Sequence, residues 1–320
     1  MSRSTCTQPQ STPFVHEALF YHGAAEFLTG VLRFIHDACA AGEPVLVAVP
    51  QPNIDLLRPQ APGNVRFVDM ATAGRNPGRI IPAVLYAFVH EYPERQVAII
   101  GEQIWPCRSP AEYTAAVQDE ALINLAFVGR PVSILCPYDA CALDPQALAY
   151  AEATHPFLTR DGDGRQPSSG YRAPAEVAAE FGGPLPAPPK SAATVVFSGA
   201  DLREVRSLVE RCASQAGLSS GRCYDLRLAV TEVATNTLVH TSSPGTLRCW
   251  LESGSLVCEI SDSGHVTDPL VGRIPTPPEQ DTGRGLLLVN HLCDLVQRHT
   301  CTAGTTTRLH IRLDETSRPP

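Results

Sequence analysis

Three polar side chains recur at four-residue intervals in the otherwise apolar stretch LAVTEVATNTLVHT, residues 228–241. Residues four apart on an α-helix share a face, so Glu232, Asn236 and His240 are predicted to form one polar stripe. A carboxylate there can act as a general base or orient a hydroxyl nucleophile, and an amide oxygen suits Mg²⁺. We expect His240 to pack against the helix or cap it rather than to take part in chemistry.

Two further motifs carry groups that nucleotides require. In SDSG (261–264), the carboxylate of Asp262 can accept a hydrogen bond from an exocyclic amine, and Gly264 lets a flat ring approach the backbone. In GRGLLLV (283–289), a predicted helix start offers backbone N–H groups to phosphate, and its glycines give them room. Each motif alone also fits a solvated helix edge or an ordinary turn. Together and in this order they favour nucleotide binding.

The lysine content limits the kinds of nucleotide site that this chain can form, and the net charge bears on nucleic-acid binding. The only lysine, Lys190, lies in a Pro-rich stretch, which excludes a Walker-type phosphate loop and a kinase of the eukaryotic protein-kinase type. The formal net charge of -8 argues against direct nucleic-acid binding, which needs clustered cations. Any effect on gene expression should therefore run through another protein.

The sequence predicts a cytoplasmic protein without a membrane partner. The N-terminal residues show no apolar run after Arg3, so a signal peptide is not expected, and no run of about 18 apolar residues occurs. The 11 cysteines include no CxxC pair, which favours free thiols in a reducing compartment over a zinc ribbon or a disulfide scaffold.

Residues 14–156 alternate between strand-like and helix-like patterns, which predicts an α/β domain with a parallel sheet covered on both faces. The predicted strands are 44–50, 65–70, 96–102 and 132–139, and the predicted helices are 24–42, 79–92 and 110–127. Ligands of such sheets bind beyond the carboxyl ends of the strands, which places Glu102 and the segment CPYD (136–139) at a pocket.

A Gly/Pro-rich linker, residues 157–192 with a short helix at 173–181, is predicted to precede a second domain at 193–314. There the pattern predicts helices grouped separately from strands in hairpin linkage, an α+β sandwich. The predicted elements are the strand 194–198, the helices 201–218 and 228–241, the strands 246–253 and 255–264, a loop at 265–284, the helix 285–299 and the strand 305–313.

Residues 193–314 resemble the histidine-kinase-type ATPase fold, also called the GHKL or Bergerat fold, and within it the anti-sigma factor serine kinases of bacteria. TEVATNTLVHT is similar to the N box of that family, SDSG to its first glycine box and TGRGLLLV to its second. GTTTRLHI (304–311) resembles the closing strand. Where broader relatives repeat glycine after the first box, this chain has His265 and Val266. No phosphoacceptor helix of a sensor histidine kinase is recognised ahead of the domain, so autophosphorylation on histidine is not expected.

The resemblance implies ATP and Mg²⁺ as cofactors and assigns a role to each matching position. Glu232 would be the catalytic base and Asn236 the Mg²⁺ ligand. The remaining nucleotide-binding positions would be Asp262 as adenine acceptor, Gly264 beside the ring, Gly283, Arg284 and Gly285 at the phosphates, and Thr305 assisting at adenine.

Residues 14–156 resemble the MEDS sensory domain, a RecA-like α/β module without a phosphate loop. The matching segments are HEALFY (16–21), GRNPGRI (74–80), GEQIWP (101–106), EALINLAF (120–127) and LCPYD (135–139). The resemblance implies detection of a small molecule, with His16, Tyr21, Glu102, Trp105, Cys136 and Asp139 as candidate ligand contacts. A purely structural or dimerising role remains open, in which Cys136 and Trp105 simply pack. A metal site of His16, Cys136 and Glu102 has no supporting ligand spacing.

Two classes of function follow from these resemblances. The first is an enzyme: a sensor-regulated anti-sigma regulatory factor that phosphorylates a serine or threonine of a STAS-type anti-anti-sigma partner and thereby controls a sigma factor. The second is a non-catalytic ATP-binding protein that sequesters a sigma factor stoichiometrically in response to a small ligand. A ligand-gated ATPase without a protein substrate is disfavoured because nothing marks a hydrolytic water. Since relatives of the kinase domain commonly pair, a homodimer is a further expectation.

Overall fold

The structure, a computed structural model, describes residues 14–160, 164–199, 202–275 and 283–313. The described residues form two compact units: one comprises residues 14–70, 87–102 and 127–171, and the other residues 71–86, 103–126 and 172–313. Parts of three predictions lie outside the described residues, namely 276–282 of the predicted loop, 161–163 of the predicted linker and residue 201 at a predicted helix start. Residue 314, the predicted end of the second domain, is also outside them.

Helices and strands make up most of the described residues. The α-helices are α1 Gly23–Ala40, α2 Gln51–Leu57, α3 Met70–Ala73, α4 Tyr86–His90, α5 Pro110–Ala126, α6 Pro145–Thr154, α7 Pro174–Phe181, α8 Arg203–Gln215, α9 Ser220–His240 and α10 Gly285–Leu292. The strands are β1 Val15–Tyr21, β2 Val45–Val49, β3 Arg66–Asp69, β4 Val97–Gly101, β5 Val132–Asp139, β6 Phe157–Thr159, β7 Gln166–Pro167, β8 Ala193–Phe197, β9 Gly245–Glu252, β10 Ser255–Asp262, β11 Leu295–Cys301 and β12 Gly304–Arg312. A 3₁₀ turn at Pro77–Arg79 and a π-helix at Ile80–Leu85 precede α4.

The first unit contains a parallel-rich sheet, which confirms the parallel sheet predicted from the alternating pattern. Its strand order is β3-β2-β4-β5-β1-β6-β7, and only the β6–β7 pair is antiparallel. The central strands β1, β2 and β4 are buried at every residue, as apolar parallel strands covered on both faces should be. Helix α1 turns Phe27, Val31 and Ile35 toward the core, at the four-residue spacing of one helix face.

Strand β1 was not predicted as a strand, although the motif HEALFY lies within it. His16 and Glu17 interrupt its apolar pattern, yet both side chains are buried. Glu17 accepts hydrogen bonds from the Thr159 hydroxyl and from Arg165, so its burial is compensated. Strand β6, at the start of the predicted linker, pairs with β1 and so extends this sheet.

The second unit contains the antiparallel five-stranded sheet β11-β12-β10-β9-β8, in agreement with the predicted α+β arrangement. Helices α8, α9 and α10 contribute to one apolar core with one face of the sheet. Its fully buried side chains include Val209 of α8, Val230 of α9, Val289 of α10 and Leu309 of β12. Helix α9 begins at Ser220, eight residues before the predicted start at 228.

Two predicted helices differ from the structure, one in its length and the other in its helix type. The helix predicted at 285–299 ends at Leu292: Cys293 is extended, the N–H of Asp294 donates to the carbonyl of His310, and β11 continues the chain. The β-branched residues of LVQRHTC favour a strand once paired with β12.

The helix predicted at 79–92 is instead 3₁₀, π and α in succession. Pro82 lacks an N–H and cannot sit in a regular α-helix interior, which accounts for the wide π turn there.

No helix among the described residues has both the length and the apolar character that crossing a lipid bilayer requires.

A buried ion pair occupies the face of the five-stranded sheet that points away from the helices. The guanidinium of Arg308 donates to the carboxylate of Glu259, and both side chains are about 5% exposed or less. Arg308 also donates to the carbonyl of Pro186 at 2.6 Å and lies over the ring of Trp250 at 5.0 Å. Both charges are therefore shielded from water, and each has hydrogen-bonding partners. Removing one partner of such a buried pair leaves the other charge buried without compensation, which lowers the stability of the protein.

We predict that Arg308→Met lowers the free energy of unfolding by ~3 kcal/mol, because the carboxylate of Glu259 stays buried and keeps just the longer contact to Arg248 among the described residues. Arg227→Met is the matched control, since the pair of Arg227 and Glu210 is exposed and should change stability far less. Urea unfolding followed by circular dichroism measures both. Equal losses in the two variants would contradict the role assigned to the Arg308–Glu259 pair.

Candidate functional site

Helix α9 carries the predicted polar stripe along the edge of its buried face. Ala229, Val230 and Val233 pack into the core, whereas Glu232 and Asn236 are half-buried one helical turn apart. The helix ends at His240, which is exposed, before Thr241 turns the chain into an extended conformation. The core contacts of α9 therefore fix the positions from which the carboxylate and the amide project.

The start of α10 lies against the carboxylate of Glu232. A Cβ atom at Gly285 would be 2.7 Å from Oε2 of Glu232, so only glycine allows this approach without displacing the carboxylate. Gly283 has a φ of +94°, which glycine adopts without strain, and Arg284 is the exposed N-cap residue. The first backbone N–H groups of a helix have no partner within that helix, and at this helix start such groups come close to a carboxylate, with room left by two glycines.

A second cluster surrounds Asp262 at the end of β10. Its Oδ2 accepts a hydrogen bond from the hydroxyl of Thr237 at 2.6 Å, and its Oδ1 accepts one from the N–H of Gly264 at 2.8 Å. The hydroxyl of Thr305 donates to the carbonyl of Gly264 at 2.8 Å. Each carboxylate oxygen has a further lone pair, so Asp262 is oriented and still able to accept a hydrogen bond from an amine.

The backbone around Asp262 is packed too tightly for side chains. A Cβ atom at Gly264 would lie 2.7 Å from Cγ2 of Thr241, and one at Gly304 would collide with the carbonyl oxygen of Asp262. Gly304 also has a φ of +145°, outside the range that other residues favour. The register pairs Asp262 with Thr305, so the close approach is built into the β10–β12 ladder.

Sequence analysis missed the threonines that support this cluster. Thr237 and Thr241 lie four residues apart on or just beyond α9, beside the stripe of Glu232 and Asn236. That spacing is the signal that could have identified them, since it defines a second polar row on the helix. Thr300 of β11, which contacts the hydroxyl of Thr305 at 2.9 Å, had no sequence signal because it fell between the helix predicted at 285–299 and the strand predicted at 305–313.

The two residues that replace glycine after the first box are tied to β11. The N–H of Val266 donates to the hydroxyl of Thr300 at 3.0 Å. Nδ1 of His265 lies 3.1 Å from the carbonyl oxygen of Cys301. Since a carbonyl only accepts, this nitrogen is the donor. The segment after Gly264 is thereby fastened to the neighbouring strand.

The predicted nucleotide-site residues fall into two clusters joined by α9. The first cluster contains Glu232 and Gly285, with the adjoining Gly283 and Arg284. The second cluster contains Asp262, Gly264 and Thr305. Asn236 lies on α9, one turn from Glu232. These residues fit a magnesium nucleotide: a carboxylate with a spare lone pair, a helix start with glycine on both sides of its N-cap, and an amide oxygen for a hard cation. The set contains no lysine.

A cavity of about 530 Å³ lies beside these residues in the same unit, with Val266 and Thr300 in its lining. Its walls include Leu286 and Asn290 of α10, Arg298 of β11 and Thr307 of β12, and none of the predicted nucleotide-site residues lines it. Leu286, which lines the cavity, also packs against the core that contains Val289. The cavity therefore borders the predicted nucleotide-site residues without including them.

In the first unit, three of the predicted sensory residues meet at the carboxyl ends of parallel strands. Tyr21 ends β1, Asp139 ends β5 opposite Tyr21, and Glu102 directly follows β4. Asn53 of α2 joins them and donates to Oε2 of Glu102 at 2.6 Å. This is the sheet edge at which the alternating pattern placed a pocket.

Two groups in this cluster, the Glu102 carboxyl and the Tyr21 hydroxyl, have shifted pKa values. Burial raises the pKa of Glu102 to about 7, opposed by the hydrogen bond from Asn53 and reinforced by the charge of Asp139. Burial also raises the pKa of the Tyr21 hydroxyl, and the nearby carboxylates of Glu102 and Asp139 raise it further. Near neutral pH the Glu102 carboxyl can therefore exist in both protonation states, a property common at functional sites.

His16 and Cys136 lie in a different cluster of the first unit. Nε2 of His16 is 3.4 Å from Sγ of Cys136, and the ring of His16 is 4.0 Å from that of His155 between centroids. Glu102 is not part of this cluster, because its carboxylate is held by Asn53 at the end of β4. His155, at the end of α6, was not predicted, since a lone histidine after a helix carries no pattern.

Trp105 belongs to the second unit, where the guanidinium of Arg108 lies 3.7 Å from its ring centroid. The six sensory candidates therefore do not form one site. They divide into the Tyr21–Glu102–Asp139 group, the His16–Cys136 group and Trp105.

Comparison with known proteins identifies both regions of the chain. Residues 15–156 match the MEDS family, described as the methanogen/methylotroph, DcmR sensory domain, and residues 197–311 match the histidine kinase-like ATPase domain. No curated protein matches the chain. Among solved structures, the chain is similar to the RsbU and RsbW domains of Rv1364c from Mycobacterium tuberculosis, with 18% identity and a TM-score of 0.31. That alignment covers 41% of this chain and 34% of the other.

We predict that Glu102 makes the stability of the protein depend on pH between about 4.5 and 7. A folded-state pKa of about 7 means that the folded protein binds this proton more tightly than the unfolded chain. The stabilisation is therefore complete below about pH 4.5 and is lost as pH rises through 7, by up to ~3 kcal/mol. Glu102→Gln keeps an acceptor for Asn53 but should lack this contribution.

Urea unfolding of wild type and variant at several values between pH 5 and 8 measures the difference. Asp55→Asn, which removes an exposed carboxylate of α2, is the control and should keep the wild-type pH dependence. A Glu102→Gln variant with an unchanged pH dependence would show that Glu102 titrates normally.

Proposed function

We propose, from the presence of a MEDS domain and a histidine kinase-like ATPase domain in one chain, that this protein is a sensor-regulated anti-sigma regulatory factor. In this proposal it binds Mg-ATP and phosphorylates a serine or threonine of a STAS-type anti-anti-sigma partner, and thereby controls a sigma factor. The observation that carries the proposal is the approach of Gly285 to the carboxylate of Glu232. It sets a candidate base beside a helix start suited to phosphate.

Each residue has a role that its surroundings support. Glu232 would accept the proton of the partner's hydroxyl, and its half-buried position beside α10 limits the directions from which that hydroxyl can approach. Asp262, held by Thr237 and Gly264, would accept a hydrogen bond from the exocyclic amine of adenine. Asn236 offers its amide oxygen to Mg²⁺. Bound Mg-ATP supplies the phosphoryl group and much of the charge neutralisation that its transfer requires.

The charge of the chain supports a release step after phosphorylation. The chain carries a formal net charge of -8, and a phosphoserine adds about two negative charges to the partner. Repulsion between them would weaken their complex. The freed regulator could then bind its sigma factor, and dephosphorylation of the partner would reverse the exchange.

The alternative function is stoichiometric sequestration of a sigma factor by a non-catalytic, ATP-bound protein. The hydrogen bond from the N–H of Val266 to the hydroxyl of Thr300 favours this alternative. It holds the segment after Gly264 against β11, and a segment held there can keep a nucleotide bound without transfer of its phosphoryl group. The two functions share the nucleotide site and differ in whether the phosphoryl group is transferred. Both include a small molecule sensed by the MEDS region, for which the group of Tyr21, Glu102 and Asp139 is our candidate.

We predict that Glu232→Gln reduces phosphoryl transfer to the cognate STAS partner at least ~100-fold, the usual contribution of a general base. Binding of Mg-ATP should change little, because the amide keeps the shape of the side chain. Transfer is measured with labelled ATP, and binding by calorimetry. His240→Gln, at the exposed end of the same stripe, is the control and should leave both unchanged.

Equal transfer by wild type and Glu232→Gln would exclude Glu232 as the base. Tight binding of Mg-ATP by wild type without transfer to any STAS partner would instead support the sequestration alternative.

We also predict that Asp262→Asn weakens the binding of ATP about 10- to 100-fold, the range expected for a lost hydrogen bond to a charged acceptor. Asp268→Asn, an exposed carboxylate six residues further along, is the matched control. Calorimetry with Mg-ATP measures both variants. An Asp262→Asn variant with wild-type affinity would place adenine elsewhere.

A further inference from the structure

Three buried side chains of the first unit converge on one point. His16 comes from β1, Cys136 from β5 and His155 from the residue that ends α6. They are 1%, 1% and 0% exposed, respectively. Their ligand atoms, one ring nitrogen from each histidine and the sulfur, lie within 4.8 Å of one another. Imidazole and thiolate are the side chains that bind zinc and related transition metals most readily.

The spacing of these atoms matches metal coordination. Nε2 of His16 and Sγ of Cys136 are 3.4 Å apart. In a tetrahedral zinc site, with Zn–N near 2.1 Å and Zn–S near 2.3 Å, a nitrogen and a sulfur ligand are about 3.6 Å apart. A small adjustment of side-chain torsions would therefore satisfy both bonds.

The hydrogen bonds of His155 set the tautomer that a metal ligand needs. Its Nδ1 lies 2.8 Å from the carbonyl oxygen of Ala151 and 3.0 Å from the hydroxyl of Thr154. Because a carbonyl can only accept, Nδ1 carries the proton and Nε2 carries the lone pair. A ligating histidine that donates its other N–H to a backbone carbonyl is the usual arrangement in metal sites.

The residues are held by rigid elements before any ion arrives. Strands β1 and β5 are neighbours in the sheet, with His16 beside Ile134 and Ala18 beside Cys136, so both side chains project from the same face. His155 is fixed by the last turn of α6, whose carbonyl it contacts. A site whose ligands are placed by strands and a helix loses little conformational entropy on binding.

We propose that His16, Cys136 and His155 bind a transition-metal ion of the Zn²⁺ class. These three residues offer two imidazole nitrogens and one thiolate sulfur, and a thiolate would be costly at full burial without a cation. Zinc accepts this mixture of nitrogen and sulfur, whereas Mg²⁺ and Ca²⁺ prefer oxygen. The site is independent of the proposed kinase function and lies in the MEDS region, where it would serve sensing or stabilise the fold.

The test uses the full-length chain, stripped with a chelator and titrated with Zn²⁺ or Co²⁺ in the absence of nucleotide. We expect one equivalent of Zn²⁺ to bind and to raise the melting temperature, since an ion that binds only the folded state stabilises it. Co²⁺ should give a sulfur-to-cobalt charge-transfer band and the visible bands of tetrahedral cobalt. Cys136→Ser should abolish the charge-transfer band and lower Zn²⁺ affinity at least ~100-fold.

His155→Gln should lower the Zn²⁺ affinity by a comparable factor and should keep the sulfur-to-cobalt charge-transfer band. Cys141→Ser is the control. Cys141 is an exposed thiol of the same unit and should be dispensable for binding. Circular dichroism of the metal-free variants shows whether they are folded. The Co²⁺ spectrum of the wild type tests the proposal even if a variant does not fold. The proposal fails if wild type shows no charge-transfer band, or if the band persists in Cys136→Ser and is lost in Cys141→Ser. Because no nucleotide is present, the result stands whatever the outcome of the transfer assay.

Discussion

The candidate nucleotide site depends on one close approach, that of α10 to the side chain of Glu232. Residue 285 is a glycine, and because it has no side chain the start of α10 can approach the carboxylate of Glu232. The approach is maintained by burial: Val289, one turn further along α10, packs into the same core as Val230 and Val233 of α9. An apolar contact between two helices thus sets the distance between a candidate base and the helix start that we propose binds phosphate.

The adenine side of the site depends on strand register instead. Asp262 and Thr305 are separated by 43 residues in sequence, yet they are partners in the β10–β12 ladder. A shift of one residue would turn Thr305 to the opposite face and end its hydrogen bond to Gly264. The glycine at 304 fixes this register, since any side chain there would meet the carbonyl of Asp262. Register and helix packing therefore position the two halves of the site independently, and α9 joins them.

Sequence alone indicated the parts of this site whose signal is local. The four-residue spacing of Glu232 and Asn236 and the glycines of the two boxes are readable within short segments. Partners brought in from elsewhere were not readable: Thr300 was assigned to no predicted element, and His155 follows α6 without any periodic pattern. The apolar run after Gly285 is compatible with a helix of any length, and only pairing with β12 shows that it stops at Leu292. Pro82 was the missed local signal, since a proline inside a predicted helix argues against regular geometry.

The second compact unit includes sequence from the region that matches the MEDS family. Residues 71–86 fall within that unit, and the side-chain amide of Asn76 donates to the backbone carbonyl of Asn290 at 2.8 Å. The amide of Asn290 in turn donates to the carbonyl of Gly272 at 2.9 Å, in the segment between the two glycine boxes. Helix α10 is therefore held near its end by Asn76 and faces Glu232 at its start. Since a two-turn helix moves as a rigid body, a displacement of the segment around Asn76 would be transmitted to the helix start. This segment of the MEDS-matching sequence thus contacts the one helix whose position the candidate base depends on.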